Sequence, residues 1–507
     1  MAGDKTISRI LIANRGEIAV RIIRAIRDLG LESVAIYSDA DKDSLHVRMA
    51  DYAVNIPGIS SSDTYLNIPA IIEAVETTSA DAVHPGYGFL SESSQFADAV
   101  CKAGVKFIGP SVKSMRLLGD KIQAREMAIK NDIPIVPGIE YPLNSVEDLK
   151  REAQRIGYPM ILKAAAGGGG RGMRIVRCDE DLQDSFDACR REAQAYFANP
   201  DVFCERFIEN PRHIEFQVLF DSHGNGVHLF ERDCSVQRRN QKLFEEAPSS
   251  YLNPEQRKRL GDIAVRVAAS AGYENAGTVE FICESPDKAY FMEMNTRIQV
   301  EHPVTELISG VDLIVEQINV AQGKKLPFKQ DDLKINGWSM EARINAEIAE
   351  KDFMPSPGEI RRLRFPSGPH VRIDSHLYQG YKIPEAYDSM VAKLIVWGRD
   401  REEALRRMRR SLSDMEVIGV PTTASFHEAL LSNNKFCSGN FSTNLIVEEW
   451  ENILSAMNNN ETITSDVAAA LSAVLTLSQQ GCLPNHPTHD YRQTWLQKAR
   501  LEMNRFN

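Results

Sequence analysis

The run EMNTRIQVEHPVTE, from Glu293 to Glu306, constrains this chain more than any other stretch. In its first half, groups that can bind a cation or clamp a planar anion occupy every second position: Glu293, Asn295, Arg297, Gln299 and Glu301. Successive side chains of a strand point to opposite faces, so an extended run would place all five on one wall. An ordinary amphipathic strand would carry interchangeable polar residues instead. The pattern therefore predicts a strand over 293–301 whose polar face binds a metal ion and a small anion.

A second acidic residue is expected near the start of that wall. Glu280, in GTVEFI, and Glu293, in AYFMEMN, lie on consecutive predicted strands joined by the turn ESPDK. If these strands pair, the two carboxylates face each other and repel unless a cation lies between them. Magnesium on nucleotide phosphates meets this need, because it typically uses one or two carboxylates together with phosphate oxygens and water. Exposed carboxylates on unpaired strands are the alternative.

The loop AAAGGGGRGM, from Ala164 to Met173, predicts a phosphate-binding flap. Its spacing formally satisfies G-x-G-x-x-G, but the following MRIVRC reads as a strand, whereas a dinucleotide site needs a helix there. A glycine-rich turn between two strands can fold over phosphates and offer them backbone N–H groups. Lys121 and Lys163 could add point charges, although either alone would be an ordinary surface lysine.

The first 118 residues predict a parallel sheet covered by helices. A strand at Ile10–Ala13, a helix at Glu17–Leu29 and a strand at Val34–Tyr37 form a unit that later segments continue. The opening turn ANRGEI lacks the dinucleotide glycines, which disfavours a nicotinamide oxidoreductase. The loop HPGYGFLSE, starting at His84, follows a strand end, and its glycines fit a ligand site or a tight turn equally well.

Further along, residues 148–210 read as a compact unit with the order helix, strand, glycine loop, strand, helix and strand, as expected of a lid. The segment QRRNQK is a basic cluster that would usually be solvated, and Arg343 in EARINAE fits a site or a structural ion pair equally well. Beyond Asn458, predicted helices at 466–479 and 491–506 could pack on the parent body or dock a partner.

Size and composition limit the remaining possibilities. A chain of 507 residues predicts about three domains, and no apolar run reaches the length of a membrane helix. The net charge of −11 leaves no overall basic footprint for nucleic acid. The N-terminus lacks secretory features, so we expect a soluble cytoplasmic protein that binds neither membranes nor nucleic acid. The 8 cysteines form no C-x-x-C pair, and Cys234 beside the candidate site is expected to be an inert buried thiol.

From Ile7 to about Trp450 the chain resembles the biotin carboxylase family of ATP-grasp enzymes. The resemblance rests on an ordered set of motifs: ANRGEIA, HPGYGFLSE, GDK ending at Lys121, LKAAAGGGGRGM, ENPRHIEFQ, ERDCSVQRR, EEAPS, TVEF, EMNTRIQVEHPVTE, EARINAE, FMPSPGEI and YDSMVAKL. It implies an α/β and α+β fold with an N-terminal doubly wound, Rossmann-like domain at 1–118. An ATP-grasp domain at 119–330 would follow, with a mobile glycine-loop lid at about 136–206. A biotin carboxylase C-terminal domain at 331–451 and a helical tail at 452–507 would complete the chain.

The resemblance also implies a reaction and a set of site residues. Such enzymes use ATP to convert bicarbonate into carboxyphosphate and then carboxylate biotin on a carrier. The implied ATP ligands are Lys121, Lys163, the loop glycines Gly168, Gly169 and Gly170, Glu205, Arg206, Ile208, His213, Gln237 and Asn240. The implied ligands of Mg²⁺ or Mn²⁺ are Glu280, Glu293 and Asn295. For bicarbonate they are Lys242, Arg297, Gln299 and the Val300 backbone, with Glu301 as the base and Arg343 on the biotin oxygen.

Two further expectations concern partners and one departure from the pattern. The carriers of this family hold biotin on a Met-Lys motif, and none of the 15 methionines here precedes a lysine. Biotin should therefore arrive on another polypeptide. A homodimer is implied as well, and so is a separate carboxyltransferase subunit. The family usually has histidine where this chain has Asn240, which cannot become cationic.

Two other functions are compatible with the sequence. One is an ATP-grasp carboxylate or carbamoyl ligase with an acceptor other than biotin, and the other is a nucleotide-binding regulatory subunit without turnover. The complete set of Lys242, Arg297, Glu301 and Arg343 disfavours the second.

Overall fold

The structure is a computed structural model that describes residues 7–139, 141–164, 173–197 and 199–458. Met1–Ile453 and Leu454–Asn507 form separate compact units. The glycine loop at 165–172, with Gly168, Gly169 and Gly170, and the tail helices predicted at 466–479 and 491–506 lie outside the described residues. None of the described helices is both long and apolar enough to cross a bilayer.

The N-terminal region contains the predicted doubly wound sheet. Five parallel strands are ordered β3-β2-β1-β4-β5, with bounds β1 Arg9–Ile12, β2 Glu32–Tyr37, β3 Tyr52–Asn55, β4 Ala82–His84 and β5 Lys106–Phe107. The helices are α1 Gly16–Asp28, α2 Leu45–Met49, α3 Ile68–Thr78, α4 Ser94–Lys102 and α5 Val112–Gly119. Helix α1 buries Ile18, Ile22 and Ile26, as their helical spacing predicts.

The turns after β1 and β4 pack against each other. Asn14 Nδ2 donates to the Pro85 and Tyr87 carbonyls at 2.8 and 2.7 Å. Gly86 has a φ of +62°, and a Cβ there would lie 2.9 Å from Asn14 Nδ2. These contacts account for Gly86, and Gly88 has a φ of +69°, which also favours glycine. Neighbouring Arg15 forms a buried ion pair with Asp41 and lies 4.3 Å above the Tyr387 ring.

The unit predicted at 148–210 has the expected order of elements. Three antiparallel strands are ordered β7-β6-β8, with bounds β6 Met160–Ala164, β7 Met173–Val176 and β8 Val202–Arg206. Helix α6 at Lys121–Lys130 precedes them, and α7 Val146–Ile156 and α8 Leu182–Phe197 belong to the unit. Leu149, Leu162 and Phe186 share its small core. Its action as a lid stays a prediction.

An eight-stranded antiparallel sheet carries most of the candidate site. Its order is β13-β12-β9-β10-β11-β14-β21-β19. The bounds are β9 Arg212–Phe220, β10 Gly226–Arg238, β11 Gln241–Ala247, β12 Asn275–Ser285, β13 Lys288–Asn295, β14 Trp338–Asn345, β19 Val371–Ser375 and β21 Met390–Gly398. The pairing of β11 with β14 joins strands from both sides of residue 330 into one sheet. The division into three domains stays a prediction.

Helices and short hairpins complete the described chain. The helices are α9 Pro254–Ser270, α10 His302–Ser309, α11 Leu313–Ala321, α12 Arg401–Asp414, α13 Ala424–Leu430 and α14 Asn434–Cys437. Short strands pair as β15 Glu347–Ile348 with β16 Met354–Pro355, β17 Gly358–Glu359 with β20 Lys382–Ile383, and β18 Arg362–Arg364 with β22 Glu416–Ile418. Asn253 caps α9, which packs Val267 against Phe216 and Phe281 of the large sheet.

Candidate active site

The acidic pair on β12 and β13 is arranged as the sequence predicts. The two strands are antiparallel neighbours, and Glu280 lies directly opposite Glu293. Asn295, two residues further along β13, donates from Nδ2 to Glu280 Oε1 at 2.7 Å. Three oxygen-bearing side chains thus meet at one end of the sheet.

The predicted strand over 293–301 is wrong beyond Asn295, where β13 ends. Helix α10 begins at His302 with Pro303 in its first turn. The Gln299 carbonyl accepts hydrogen bonds from the His302 backbone N–H at 3.3 Å and from its side chain at 2.8 Å. Because that carbonyl is used by the start of the helix, it cannot serve a strand ladder.

The polar residues of the irregular segment nevertheless converge. Gln299 Nε2 donates to Glu280 Oε1 at 2.8 Å, and Arg297 Nη2 donates to Asn295 Oδ1 at 3.2 Å. Arg297 Nε also lies 3.3 Å from Glu92, at the end of the HPGYGFLSE motif. Alternation along a strand predicted that these polar side chains lie on one wall. They do lie together, but the turn after Asn295 brings them together.

Glu301 is buried between two cations. Its Oε1 lies 2.7 Å from Lys242 Nζ, and its Oε2 lies 2.8 Å from Arg343 Nη2. Its side chain is 2% exposed. Burial alone would raise the pKa of Glu301, but Lys242, Arg343 and Arg232 hold it well below its usual range. Glu301 is therefore ionised at neutral pH.

Lys242 holds three carboxylates together. Besides Glu301, its Nζ donates to Glu215 Oε2 at 2.5 Å and to Glu280 Oε1 at 3.2 Å. Burial opposes the charge of Lys242, yet these three carboxylates raise its pKa well above the ordinary value. The ammonium thus links the acidic pair on the sheet to Glu301.

Arg343 belongs both to a structural ion pair and to the site. Its Nε donates to Glu245 Oε1 at 2.6 Å, while Nη2 reaches Glu301. Glu245 lies opposite Glu341 in the ladder between β11 and β14, and both are buried. Burial raises the pKa of Glu245 to about 7, although Arg343 opposes that shift.

Arg232 is a functional-site residue that sequence reasoning missed. Its guanidinium is fully buried, and all five of its N–H groups donate, each to a different acceptor: Glu215, Gln217, Thr278, Gln299 and Thr305. The contact at Gln299 Oε1 orients the amide so that its Nε2 faces Glu280. The arginine inside the motif ERDCSVQRR was the available signal.

The residues expected around the nucleotide occupy two places. Lys163, on β6, forms an ion pair with Glu205 on β8, and Arg206 Nη2 donates to Glu284 Oε1 at 2.8 Å. Ile208 is buried just after β8.

His213 Nε2, on β9, lies 3.0 Å from Glu280 Oε2, so His213 contacts the acidic pair. Lys121 begins α6, but its side chain lies outside the described part of the chain.

Asn240 occupies a conformation that favours its residue type. Gln237 is the next-to-last residue of β10 and pairs with Lys242, and Arg239 and Asn240 form the tight turn into β11 with φ of +49° and +64°. Two-residue hairpin turns with both φ positive favour asparagine, because its short side chain tolerates the left-handed region. Asn240 is exposed at this tip.

The donor set at the acidic pair fits a hard divalent cation. Carboxylate and amide oxygens of Glu280, Glu293 and Asn295 are the ligand types that Mg²⁺ and Mn²⁺ accept. Two groupings, His213 with Glu215 and Glu280, and Glu215 with Cys234 and Glu301, have ligand atoms within 4.8 Å of one another. Burial raises the pKa of Cys234 well above its usual range, so its thiol is protonated at neutral pH.

Comparison with protein-family models covers most of the chain. A model described as the biotin carboxylase N-terminal domain matches residues 6–115, and a biotin carboxylase C-terminal domain model matches residues 341–448. Between them, residues 120–329 match the ATP-binding domain of the carbamoyl-phosphate synthase L chain.

Individual proteins match over nearly their whole length. Biotin carboxylase 1 of Bacillus subtilis is 52% identical over 441 residues, covering 87% of this chain and 98% of that protein. The biotin carboxylase of Haemophilus influenzae is 50% identical over 434 residues, covering 85% of this chain and 96% of that protein. The biotin carboxylase domain dimer of Hydrogenobacter thermophilus 2-oxoglutarate carboxylase, crystallised with MgADP and bicarbonate, has a TM-score of 0.83 at 47% identity. The match covers 89% of this chain and 99% of that one.

Proposed function

The chain belongs to the biotin carboxylase family, and from that membership we propose which of its residues carry out each part of the reaction. The enzyme is a ligase that carboxylates biotin with ATP and bicarbonate, forming ADP and phosphate. The observation that carries the assignment is the buried bridge from Lys242 through Glu301 to Arg343, beside the acidic pair Glu280 and Glu293. This contact supports a metal site, an anion site and an ionised carboxylate that lie next to one another.

Glu280, Glu293 and Asn295 would hold Mg²⁺ or Mn²⁺ with the ATP phosphates. When bound, the ion neutralises charge on the phosphate oxygens during transfer. Burial alone would raise the pKa of Glu280. The positive charges of the neighbouring Lys242 and His213 instead hold that pKa well below the usual range. It therefore remains an anionic oxygen ligand at neutral pH.

The nucleotide would lie between the small sheet and the large one. Lys121, Lys163 and the glycine loop at Gly168, Gly169 and Gly170 would bind the phosphates. Glu205, Arg206 and Ile208 would surround the adenine, with His213, Gln237 and Asn240 toward the nucleoside and phosphates. The ion pair of Lys163 with Glu205 supports this placement. It joins the lysine assigned to the phosphates to a residue assigned to the adenine.

Bicarbonate would bind to Lys242, Arg297, Gln299 and the Val300 N–H. Glu301 would accept the bicarbonate proton, and the resulting oxyanion would attack the γ-phosphorus of ATP, with ADP as the leaving group and carboxyphosphate as the product. Two cations on Glu301 lower its proton affinity. When the anionic substrate draws Lys242 toward itself, that affinity rises and proton transfer becomes easier.

Arg343 would stabilise the second half of the reaction. The biotin ureido oxygen gains negative charge when its neighbouring nitrogen loses a proton, and a guanidinium next to that oxygen offsets the charge. Glu245 holds Arg343 from the side opposite Glu301 and so fixes its orientation.

Biotin would arrive on a carrier that lies outside these 507 residues, because none of their methionines precedes a lysine. A separate carboxyltransferase and a homodimer are further proposals, and a cytoplasmic location stays a prediction. The 2-oxoglutarate carboxylase domain, crystallised as a dimer, supports the homodimer by analogy. The final carboxyl acceptor, whether acetyl-CoA, propionyl-CoA or pyruvate, would be set by the transferase.

The direct test is ADP formation by the purified chain with ATP, Mg²⁺, bicarbonate and free biotin. We expect a rate that requires bicarbonate and rises with biotin, together with labelled carboxybiotin from labelled bicarbonate. Stimulation by another acceptor, but not by biotin, would indicate a different ATP-grasp ligase. Nucleotide binding without phosphate release would indicate a regulatory subunit.

A further inference from the structure

Two backbone carbonyls on either side of the Val300 amide are held by buried side chains. His302 Nδ1 lies 2.8 Å from the Gln299 carbonyl oxygen, and Lys393 Nζ donates to the Val300 carbonyl oxygen at 2.8 Å. The side chains of His302 and Lys393 are both 0% exposed. These residues come from different parts of the chain, at the start of α10 and in the middle of β21.

The His302 contact determines where the Val300 N–H points, and the Lys393 contact holds the peptide group that follows it. A trans peptide group is planar, so the Gln299 carbonyl and the Val300 N–H point in opposite directions. Fixing one therefore fixes the other. The segment after Asn295 has no strand partner to orient its peptides. Within the described ranges, no protein group accepts a hydrogen bond from the Val300 N–H, and Val300 is only partly buried.

We propose that His302 and Lys393 are positioning residues that together aim the Val300 N–H at bicarbonate. The inference rests on the proposed function, in which that N–H binds the substrate anion. It deepens that function by assigning two residues that do not touch the substrate.

The ammonium of Lys393 is itself held by two buried carboxylates. Its Nζ lies 3.3 Å from Glu17 Oε1 and 3.9 Å from Asp374 Oδ2. Glu17 in turn accepts a hydrogen bond from the Tyr87 hydroxyl. The motifs ANRGEIA, HPGYGFLSE and YDSMVAKL thus meet beneath the Val300 carbonyl. Lys393 also lies directly opposite Arg343 in the ladder, so one strand pair carries both groups.

His302 serves as a neutral donor. Burial lowers the pKa of His302 well below its usual range, and the positive charges of Lys393, Arg21 and Arg372 lower it further. A neutral imidazole has one N–H, and the carbonyl acceptor places it on Nδ1. The ring can therefore hold the Gln299 carbonyl without adding a positive charge that would compete with the proposed site for bicarbonate.

The test measures the KM for bicarbonate and the KM for ATP separately in Lys393→Met and His302→Leu. In bicarbonate-dependent ATP cleavage, we expect each change to raise the KM for bicarbonate about tenfold or more, with the KM for ATP within about twofold. Calorimetric titration of bicarbonate in the presence of MgADP should show the same loss of affinity. His302→Asn, which keeps a short N–H donor, should recover part of the bicarbonate affinity that His302→Leu loses.

Arg401→Met is the matched control. Arg401 is also a largely buried cation that donates to main-chain carbonyls, those of Phe436 and Cys437, at 3.0 and 2.5 Å. It should lower the thermal midpoint and leave the bicarbonate KM within about twofold of wild type. If Lys393→Met does not fold, the comparison of His302→Asn with His302→Leu decides the question.

An unchanged bicarbonate KM in folded Lys393→Met and His302→Leu would overturn the inference, as would equal losses for bicarbonate and ATP. The proposed function fails separately, when the wild-type chain shows no bicarbonate-dependent ATP cleavage. Because wild type is measured first, the two failures are distinguishable.

Discussion

Lys242 Nζ lies 2.7 Å from Glu301 Oε1 in a buried pair, where the ammonium also donates to Glu215 and Glu280. Removing the cation from such a buried cluster is strongly destabilising, because it leaves the carboxylates without a compensating charge. The same ammonium is the group that an incoming anion would engage. We therefore predict that charge balance and bicarbonate binding are coupled at Lys242.

Lys242→Met should abolish bicarbonate-dependent ATP cleavage, with a loss of about a hundredfold or more in kcat/KM. The remaining carboxylates lose their counter-charge, so we also expect a loss in stability of about 3–5 kcal/mol. Steady-state kinetics and denaturant unfolding measure the two effects. Lys258→Met removes the exposed pair with Asp262, 2.6 Å apart, and serves as the control, with neither effect expected. Wild-type activity in folded Lys242→Met would contradict the assignment.

Arg343→Ala should lose biotin carboxylation far more than basal ATP cleavage. The guanidinium is assigned to the charge that develops on biotin, whereas Lys242, Glu301 and the metal are assigned to phosphoryl transfer. Parallel assays of carboxybiotin and phosphate in the same samples measure the partition. Equal loss of both rates would count against this division of roles.

Glu293→Gln should weaken metal binding specifically. One anionic ligand becomes neutral while its size is kept, so the Mg²⁺ concentration for half-maximal rate should rise about tenfold or more. Asp287→Asn, in the exposed turn of the same hairpin, is the control for loss of acidic charge. A Mg²⁺ dependence that matches wild type would remove Glu293 from the metal site.

Asn240→His should leave ATP affinity equal or tighter. The turn position has a φ of +64°, which histidine tolerates better than most residues, and the imidazole offers a donor that can become cationic. Equilibrium titration of ATP measures the change, with Asn240→Gly as a control that keeps the turn but removes the side chain. Clearly weaker ATP binding by Asn240→His would contradict the prediction.

His84→Gln should make the protein less sensitive to acid. Burial lowers the pKa of His84 from 6.5 to about 3, even though a Gln317 contact opposes the shift. The folded state then binds fewer protons than the unfolded state, so the stability contribution is complete above pH 6.5. It falls as the pH drops from 6.5 toward 3, at about 1.4 kcal/mol per pH unit.

The check is the slope of the thermal midpoint against pH between 6.5 and 4.5. His84→Gln should have a shallower slope than wild type, whatever its midpoint at pH 7. His223→Gln changes an exposed histidine and should keep the wild-type slope. Parallel slopes for wild type and His84→Gln would show that His84 does not contribute to acid sensitivity.

Local spacing was sufficient for much of the fold. The apolar strand at the start of the chain, the helical period of Ile18, Ile22 and Ile26, and the paired strands with Glu280 and Glu293 are confirmed. These features depend on neighbours a few residues apart, or on two strands joined by a short turn. Periodicity and turn chemistry report such relationships directly.

The tertiary structure decided the contacts that complete the site. Arg343 reaches Glu301 across 42 residues of chain, and Lys393 reaches the Val300 carbonyl across 93. Such pairs depend on the register of the eight-stranded sheet, which shifts every side chain to the other face when it slips by one residue. The strand predicted over 293–301 ends at Asn295, and the chain then turns into helix α10, whose first residue donates to the Gln299 carbonyl. The sequence alone thus determined which groups are present and their local elements, while long-range packing decided which atoms meet.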